Sequence, residues 1–367
     1  MFGLEIAGTC VDAHSHSYFI ADISANHDGD LERAKALIHL AAESGANAAK
    51  FQNFRAGKIV SKRGFDALGP QQSHQAKWKK DVFTVYREAS LPWEWTEPLF
   101  TECREAGIHY FSTPYDLEAV DMLNPFVPAF KIGSGDITWT EMLRKVASKN
   151  KPVLLATGAS DIGEVQRAVN VLEAINPRIG LMQCNTNYTG SLENFRHIHL
   201  NVLRTYRQMF PDVVLGLSDH TPGHAAVLGA IALGARLIEK HFTDATSREG
   251  PDHPFSMTPS SWREMVDRAR ELELALGSPR KEVAKNELET VVVQRRCLRA
   301  ARDLHGGTVL ARGDIEVLRP APAGAVLPYD LDRVLGKRII APLRAGDALR
   351  YELLEEQTDS KAYMDVA

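Results

Sequence analysis

Two runs of strand-forming residues finish in groups for which a buried strand has no structural use. VVLGLSD (213–219) runs on into His220, and RLIEKHF (236–242) ends with Glu239, Lys240 and His241. Charged and imidazole side chains in an apolar strand are costly unless they are paired or functional. The habit recurs along the chain. YFIADIS (18–24) carries Asp22, with Asn26 and His27 just beyond; AAKFQNF (48–54) carries Lys50 and Gln52; HYFSTPY (109–115) carries Thr113. AFKIGSG (129–135) holds Lys131 and Ser134 and is followed by Asp136. PVLLATG (152–158) holds Thr157, and IGLMQCN (179–185) ends at Asn185, with Thr186 and Tyr188 close behind.

These groups define a chemistry. Lys50 and Lys131, with the hydroxyls of Thr113, Ser134, Thr157 and Ser218, suit a phosphate or a carboxylate. His220 and His241, on consecutive strands, suit a divalent metal with open coordination positions. Asp22 and Asp136 can accept hydrogen bonds from a sugar hydroxyl or act as a general base. The set describes an anionic, phosphorylated ligand and a metal that polarises a second reactant. Each group also has a purely structural reading: the lysines as internal ion pairs, a single histidine as a hydrogen-bonded core residue, Cys184 as a small buried side chain. The HSH run (14–16) has a metal-like spacing but precedes the first strand, at the wrong end of the fold for a site built on strand C-termini.

The elements that must position these residues alternate. Between the eight strands lie amphipathic helical stretches, among them 30–46, 161–175 (opened by Asp161 with Glu164 three residues on), 222–235 and, after the last strand, 259–277. Eight βα units within about 260 residues predict an α/β fold of the (β/α)8 TIM-barrel type, with the active site at the strand C-termini. A doubly wound open sheet is the rival, but the turn after the first strand reads SANHDGD, not GxGxxG. Segment 56–91 is too long for an ordinary βα loop and is expected to shape the substrate pocket, or else to be an exposed insertion. The domain plan is therefore a barrel over 1–277, a charged linker over 278–296, a small β-clip-like domain over 297–356 and a mobile tail over 357–367. In the small domain Leu304, Gly307, Leu310 and Ile315 recur 39 residues later as Leu343, Gly346, Leu349 and Leu354.

Composition excludes other classes. With 44% hydrophobic and 25% charged residues and a net charge of −4, the chain reads as a globular protein whose main partner is neither nucleic acid nor an acidic membrane surface. No apolar run is long enough to span a bilayer and no leader is recognisable. Four scattered cysteines, Cys10, Cys103, Cys184 and Cys297, read as reduced thiols in a cytoplasmic protein.

The runs ADISANHDGDLERAKALI, GANAAKFQNF, FKIGSGD, GLSDHT, EKHF and GPDHPFSM closely resemble the sialic acid synthase family, and GDIEVLRPAPAG resembles its C-terminal antifreeze-like (SAF) domain. The resemblance spans about residues 18–355. It implies condensation of phosphoenolpyruvate with an N-acetylmannosamine-type sugar. It also implies phosphoenolpyruvate contacts at Lys50, Thr113, Lys131, Ser134 and Ser218, with Thr157 compensating for Ala156, where a serine often stands. Manganese or magnesium would sit on His220 and His241. Gln52, Tyr188 and Asp252 would line the acceptor pocket, with Asn185 substituting where Thr186 replaces a sugar-binding asparagine. Arg319 would be inserted into the partner's barrel in a domain-swapped homodimer. Asp22 and Asp136 stand where the family commonly has glutamate, which widens the acceptors to other nonulosonic acid precursors, such as those of legionaminic or pseudaminic acid. Competing readings are a synthase acting on a phosphorylated sugar, a metal-dependent hydrolase, and a carbohydrate-binding barrel without catalysis.

Overall fold

A computed structural model describes residues 3–70 and 73–355. The chain forms two compact units, Met1–Gly277 and Ser278–Ala367. The mobile tail expected over 357–367 lies outside the described residues.

The first unit opens with a hairpin, β1 (Leu4–Ile6) and β2 (Thr9–Val11), followed by eight parallel strands. These are β3 (Tyr18–Asp22), β4 (Ala48–Asn53), β5 (His109–Pro114), β6 (Phe130–Ile132), β7 (Val153–Ala156), β8 (Ile179–Cys184), β9 (Val214–Asp219) and β10 (Leu237–His241). Their order is β5-β4-β3-β10-β9-β8-β7-β6, so the last strand pairs with the first. β5 lies against β6 and completes a (β/α)8 barrel. The eight strands read from the sequence are present. The fourth is shorter than 129–135 because the chain turns at Gly133 into a single 3-10 turn, Ser134–Asp136.

Side chains on a strand alternate between faces, and in this barrel the alternation separates two cores. Tyr18, Ile20, Ala48, Phe111, Ala129, Leu154, Met182, Val214 and Leu237 form one inward cluster with Leu4, Ile6 and Val11 of the hairpin. The hairpin thus packs with the apolar side chains at the strand starts. The sequence reading places no element there, because three-residue strands are too short to show a period. Phe19, Ala21, Phe51, Tyr110, Leu155, Leu181, Leu215 and Ile238 belong to the outer core with the helices. Leu31–Glu43 is capped by Asp30, Ile162–Glu173 by the Asp161/Glu164 capping box, and Pro259–Leu276 by Thr258.

Segment 56–91 is not an irregular loop. It contains helices Ala56–Ile59, Lys62–Leu68 and Val82–Ala89, the last two started by Ser61 and Asp81. Ala56, Val60 and Val82 give it an apolar cluster of its own, against which Ile59, Phe65, Trp78, Phe83 and Tyr86 pack. Its many polar residues hide this, since only one side of each short helix is apolar.

In the second unit β11 (Cys297–Ala300) pairs antiparallel with β12 (Ile315–Leu318), and the internal repeat takes physical form. Leu304 and Leu343 exchange both backbone hydrogen bonds. Gly307 and Gly346 adopt nearly the same left-handed conformation, φ 89° and 88°, where glycine is favoured. Leu310, Ile315, Leu349 and Leu354 share one core. The stretch read as a linker carries a short helix, Leu288–Gln294. All four cysteines are free, and among the described residues no helix is long and apolar enough to cross a membrane.

Candidate active site

Most of the polar residues singled out at the strand ends are inward-facing positions two or more residues above the apolar layer. Asp22, Lys50, Gln52, Thr113, Lys131, Ser134, Ser218, His220, Glu239 and His241 line a single cavity, joined by Tyr188 and Asp252 from loops. β10 shows the rule. Glu239 and His241 face inward, whereas Lys240 between them faces out and is held by Asp219 Oδ2 at 2.6 Å and the Thr221 carbonyl at 2.6 Å. Lys240 therefore anchors the turn after β9 and takes no part in the cavity.

Glu239 is the hub of the cavity. Its Oε1 accepts from Ser218 Oγ at 3.0 Å and lies 3.1 Å from Lys131 Nζ and 3.7 Å from Lys50 Nζ. Burial alone would raise this carboxyl, but Lys131 and Lys50 hold it down, at about 2. Lys50 Nζ lies 2.6 Å from Asp22 Oδ2 and 3.5 Å from Thr113 Oγ1. Burial works against the Lys50 ammonium, and Asp22 and Glu239 outweigh it, so its pKa is raised. Gln52 Nε2 donates to the same Asp22 oxygen at 3.4 Å. The lysines are thus internal ion pairs and cavity-facing cations at once. Sequence reasoning noted Glu239 at a strand end but gave it no role; its inward parity with His241 was the available signal.

His220 and His241 lie with ring centroids 5.3 Å apart, both flanked by Tyr188. His220 Nδ1 contacts the Asn185 carbonyl at 2.9 Å, so this nitrogen is the donor and Nε2 keeps its lone pair. Burial, with His241 nearby, pushes the His220 pKa down to about 3, so the ring is neutral. His241 lies between Asp22 (3.6 Å) and Asp252 (3.7 Å), and its buried Nδ1 has no hydrogen-bond partner among the described residues. The donors fit a divalent ion held by two imidazoles, with other positions left to ligand or water; no cluster of three or more His, Cys, Asp or Glu ligands occurs among the described residues. Asp22 Oδ1 and Glu239 Oε2 are likewise buried without a hydrogen bond. Among the described lining residues three carboxylates, Asp22, Glu239 and Asp252, face two ammonium groups, Lys50 and Lys131. A polyanionic ligand therefore needs further positive charge brought in with it.

Not every expected residue joins the cavity. The Thr157 hydroxyl donates to the Met182 carbonyl and accepts from Tyr206, which turns it away. Asn185 uses its side-chain amide on the His197 carbonyl and its own carbonyl on His220, so it positions the histidine and does not line the space. Asp136 sits in the turn after β6, outside the lining, and burial raises its pKa to about 6. Arg319 is exposed in the second unit, directly after β12. Asn26 is tied to the Phe242 carbonyl and Ser256, and the His27 ring accepts from Gly29 N–H, so both are structural. Ser134 Oγ accepts from the Gly158 amide at 2.9 Å, which fixes its direction at the cavity. Cys184 lines the cavity as a buried thiol whose pKa is raised by burial. His16, of the HSH run, is bound 2.6 Å from Glu273.

A model of the NeuB family matches residues 37–281, and one of the SAF domain matches residues 295–355. The chain is 34% identical to the N,N'-diacetyllegionaminic acid synthase of Campylobacter jejuni, over 87% of this chain and 94% of that protein. It is 30% identical to the human N-acetylneuraminate-9-phosphate synthase, over 95% of each. Among solved structures, the N-acetylneuraminic acid (sialic acid) synthetase of Leptospira borgpetersenii superposes with a TM-score of 0.70 at 25% identity, over 79% of this chain and 95% of that one.

Proposed function

The chain belongs to the NeuB family of sialic and other nonulosonic acid synthases, and from that premise we propose that it condenses phosphoenolpyruvate with an open-chain N-acyl aminosugar of the N-acetylmannosamine type. The observation that carries this reading is the convergence of Lys50, Lys131, Thr113, Ser134, Ser218, His220 and His241 on one cavity at the strand C-termini. Lys50 and Lys131 bind the phosphate and carboxylate of the enol, assisted by the hydroxyls of Thr113, Ser134 and Ser218. A manganese or magnesium ion on His220 and His241 would polarise the acceptor carbonyl. Carbon C3 of the enol bonds to C1 of the aldehyde, water adds its oxygen to C2, and the C2–O bond to phosphate breaks, so a 3-deoxy-2-ulosonic acid and inorganic phosphate leave. Asp22, held by Lys50 and Gln52 with one oxygen unpartnered, orients the acceptor or accepts the proton of the water. Gln52, Tyr188 and Asp252 hold the sugar. Holding two reactants in register contributes as much as ~7–11 kcal/mol of the barrier reduction.

The surplus of carboxylates supports two imported cations, the metal and Arg319, the latter delivered from a second copy in a domain-swapped dimer. Purified protein given phosphoenolpyruvate and Mn2+ or Mg2+ should release phosphate only when an N-acyl aminosugar is added, and EDTA should stop it. Sugar binding without phosphate release under either metal would favour a carbohydrate-binding barrel and overturn the proposal. Mixed dimers of Lys131→Ala and Arg319→Ala chains should regain activity; verified heterodimers without recovery would remove the shared arginine.

A further inference from the structure

His220 and His241 reach the cavity from adjacent strands, and one group outside the cavity bears on the chain beside both. Lys240 directly precedes His241 on β10. In the parallel register it lies opposite Asp219, the residue directly before His220 at the end of β9. The pairing of β9 with β10 ends at these two residues, so between those strands no ladder partner fixes His220 against His241. The Lys240 side chain takes over from the ladder. On the outer face its Nζ donates to Asp219 Oδ2 and to the Thr221 carbonyl, both at 2.6 Å, and so grips the residues on either side of His220. Asp219 closes the ring of contacts, because its carboxylate accepts from the Thr221 amide at 3.1 Å and from the Thr221 hydroxyl at 2.8 Å. Lys240, Asp219 and Thr221 are all buried.

A buried ion pair is a weak source of stability. Desolvation of the two charges offsets their attraction, and apolar groups of similar volume often serve the fold as well. What this pair adds is geometry at the point where the sheet stops. Resting on the metal assignment within the synthase reading above, we infer that Lys240 is a positioning residue: it sets the spacing and direction of His220 and His241, whose ring centroids lie 5.3 Å apart, so that both imidazoles meet one divalent ion. It touches neither ion nor substrate. Groups that orient metal ligands from behind change metal affinity by roughly 10–100-fold when they are lost.

The test replaces the pair as Lys240→Met with Asp219→Asn. One charge of each sign is removed, so the field in the cavity changes little, and the asparagine still accepts from the Thr221 amide. Affinity for Mn2+ alone, followed by the electron paramagnetic resonance of the free ion, should weaken by roughly 10–100-fold. Spin-echo modulation from bound imidazole nitrogen should shrink with it. Affinity for phosphoenolpyruvate in EDTA and the Tm without metal should stay close to the parent's. Lys240→Gln with Asp219→Asn is a second neutral pair with the same expected loss, since glutamine is one bond too short for the grip. Leu237→Ala, which weakens the fold from the opposite end of the barrel, should leave Mn2+ affinity as it is, which separates positioning from instability. Mn2+ binding at the parent's affinity in either folded double variant would overturn the inference and leave the synthase reading standing. Equal losses of Mn2+ and phosphoenolpyruvate affinity would reduce Lys240 to a structural residue and overturn it too. A parent chain that binds no Mn2+ would remove the metal assignment together with the inference.

Discussion

The two ends of the barrel are made from the same eight strands and obey opposite rules. On β10, Leu237, Glu239 and His241 all face inward; Leu237 lies in the apolar layer with the hairpin, and Glu239 and His241 in the polar cavity. On β4 the corresponding step is from Ala48 to Lys50, on β6 from Ala129 to Lys131, on β9 from Gly216 to Ser218. Two residues of chain, about 6–7 Å, separate a layer that stabilises the fold from a layer that costs it stability. Gly180 and Gly216 belong to the same inward rows, and a Cβ at either would run into the side chain of Leu237, so the lower layer is filled to the backbone. The upper layer keeps buried oxygens of Asp22 and Glu239 without partners. Such a division places unsatisfied polarity where a ligand can complete it.

If that division is right, the largest effect should come from neutralising the top. Replacing Lys131 and Glu239 together, as Lys131→Met with Glu239→Gln, removes a cation that holds the enol and the carboxylate that pairs with it. Loss of a positioned electrostatic contact of this kind lowers kcat by roughly 10²–10³-fold. Thermal stability should be unchanged or higher, because replacing a buried ion pair by groups of similar volume is often neutral or stabilising. Lys131→Met alone should be less stable than the double variant, since it leaves Glu239 with Lys50 at 3.7 Å as its nearest remaining cation. A double variant that loses several kcal/mol by denaturant titration would mean that the top also carries the fold.

The bottom should behave in the opposite sense. Leu237→Ala empties a fully buried site and should lower stability by about 2–5 kcal/mol, and Gly180→Ala should lower it by about 1–3 kcal/mol through overpacking. Either variant, assayed at a temperature where it is folded, should keep kcat within a few-fold of the parent. A collapse of kcat in a folded Gly180→Ala protein would erase the distinction between the two ends.

The same division explains what could be read from the chain beforehand. The strands were readable because each has a continuous apolar run, and the site because charged residues interrupt those runs at one end. Parity was the unused signal. Inward positions step by two from Asp22, Lys50, Ser218 or Glu239, and this rule admits Glu239 and rejects Lys240 without coordinates. Thr157 fails by the same rule, because Leu154 and Ala156 take the inward positions of its strand, and Tyr206, far along the chain, binds its hydroxyl. Asn185 was placed in the right region but acts through its backbone carbonyl on His220, which side-chain type cannot foretell. The hairpin and the helices of segment 56–91 were missed because short elements owe their form to tertiary contacts more than to pattern.

Asp136 offers the smallest test and the most direct one of the cost at the upper end. Burial raises its carboxyl from the usual 3.8 to about 6. A carboxyl with a raised folded-state pKa favours the folded protein below its unfolded pKa, and that contribution is lost as pH rises through the folded value. The window is therefore about pH 4 to 6, and above it the ionised group weighs against folding. Asp136→Asn should be more stable than the parent at pH 8, by about 1–2 kcal/mol once partial exposure is allowed for, and no more stable at pH 4. Denaturation midpoints across that range would show the two curves diverging as pH rises. Parallel curves would mean that Asp136 is solvated well enough to ionise freely, and that the polar end of the barrel carries less strain than its unpartnered oxygens suggest.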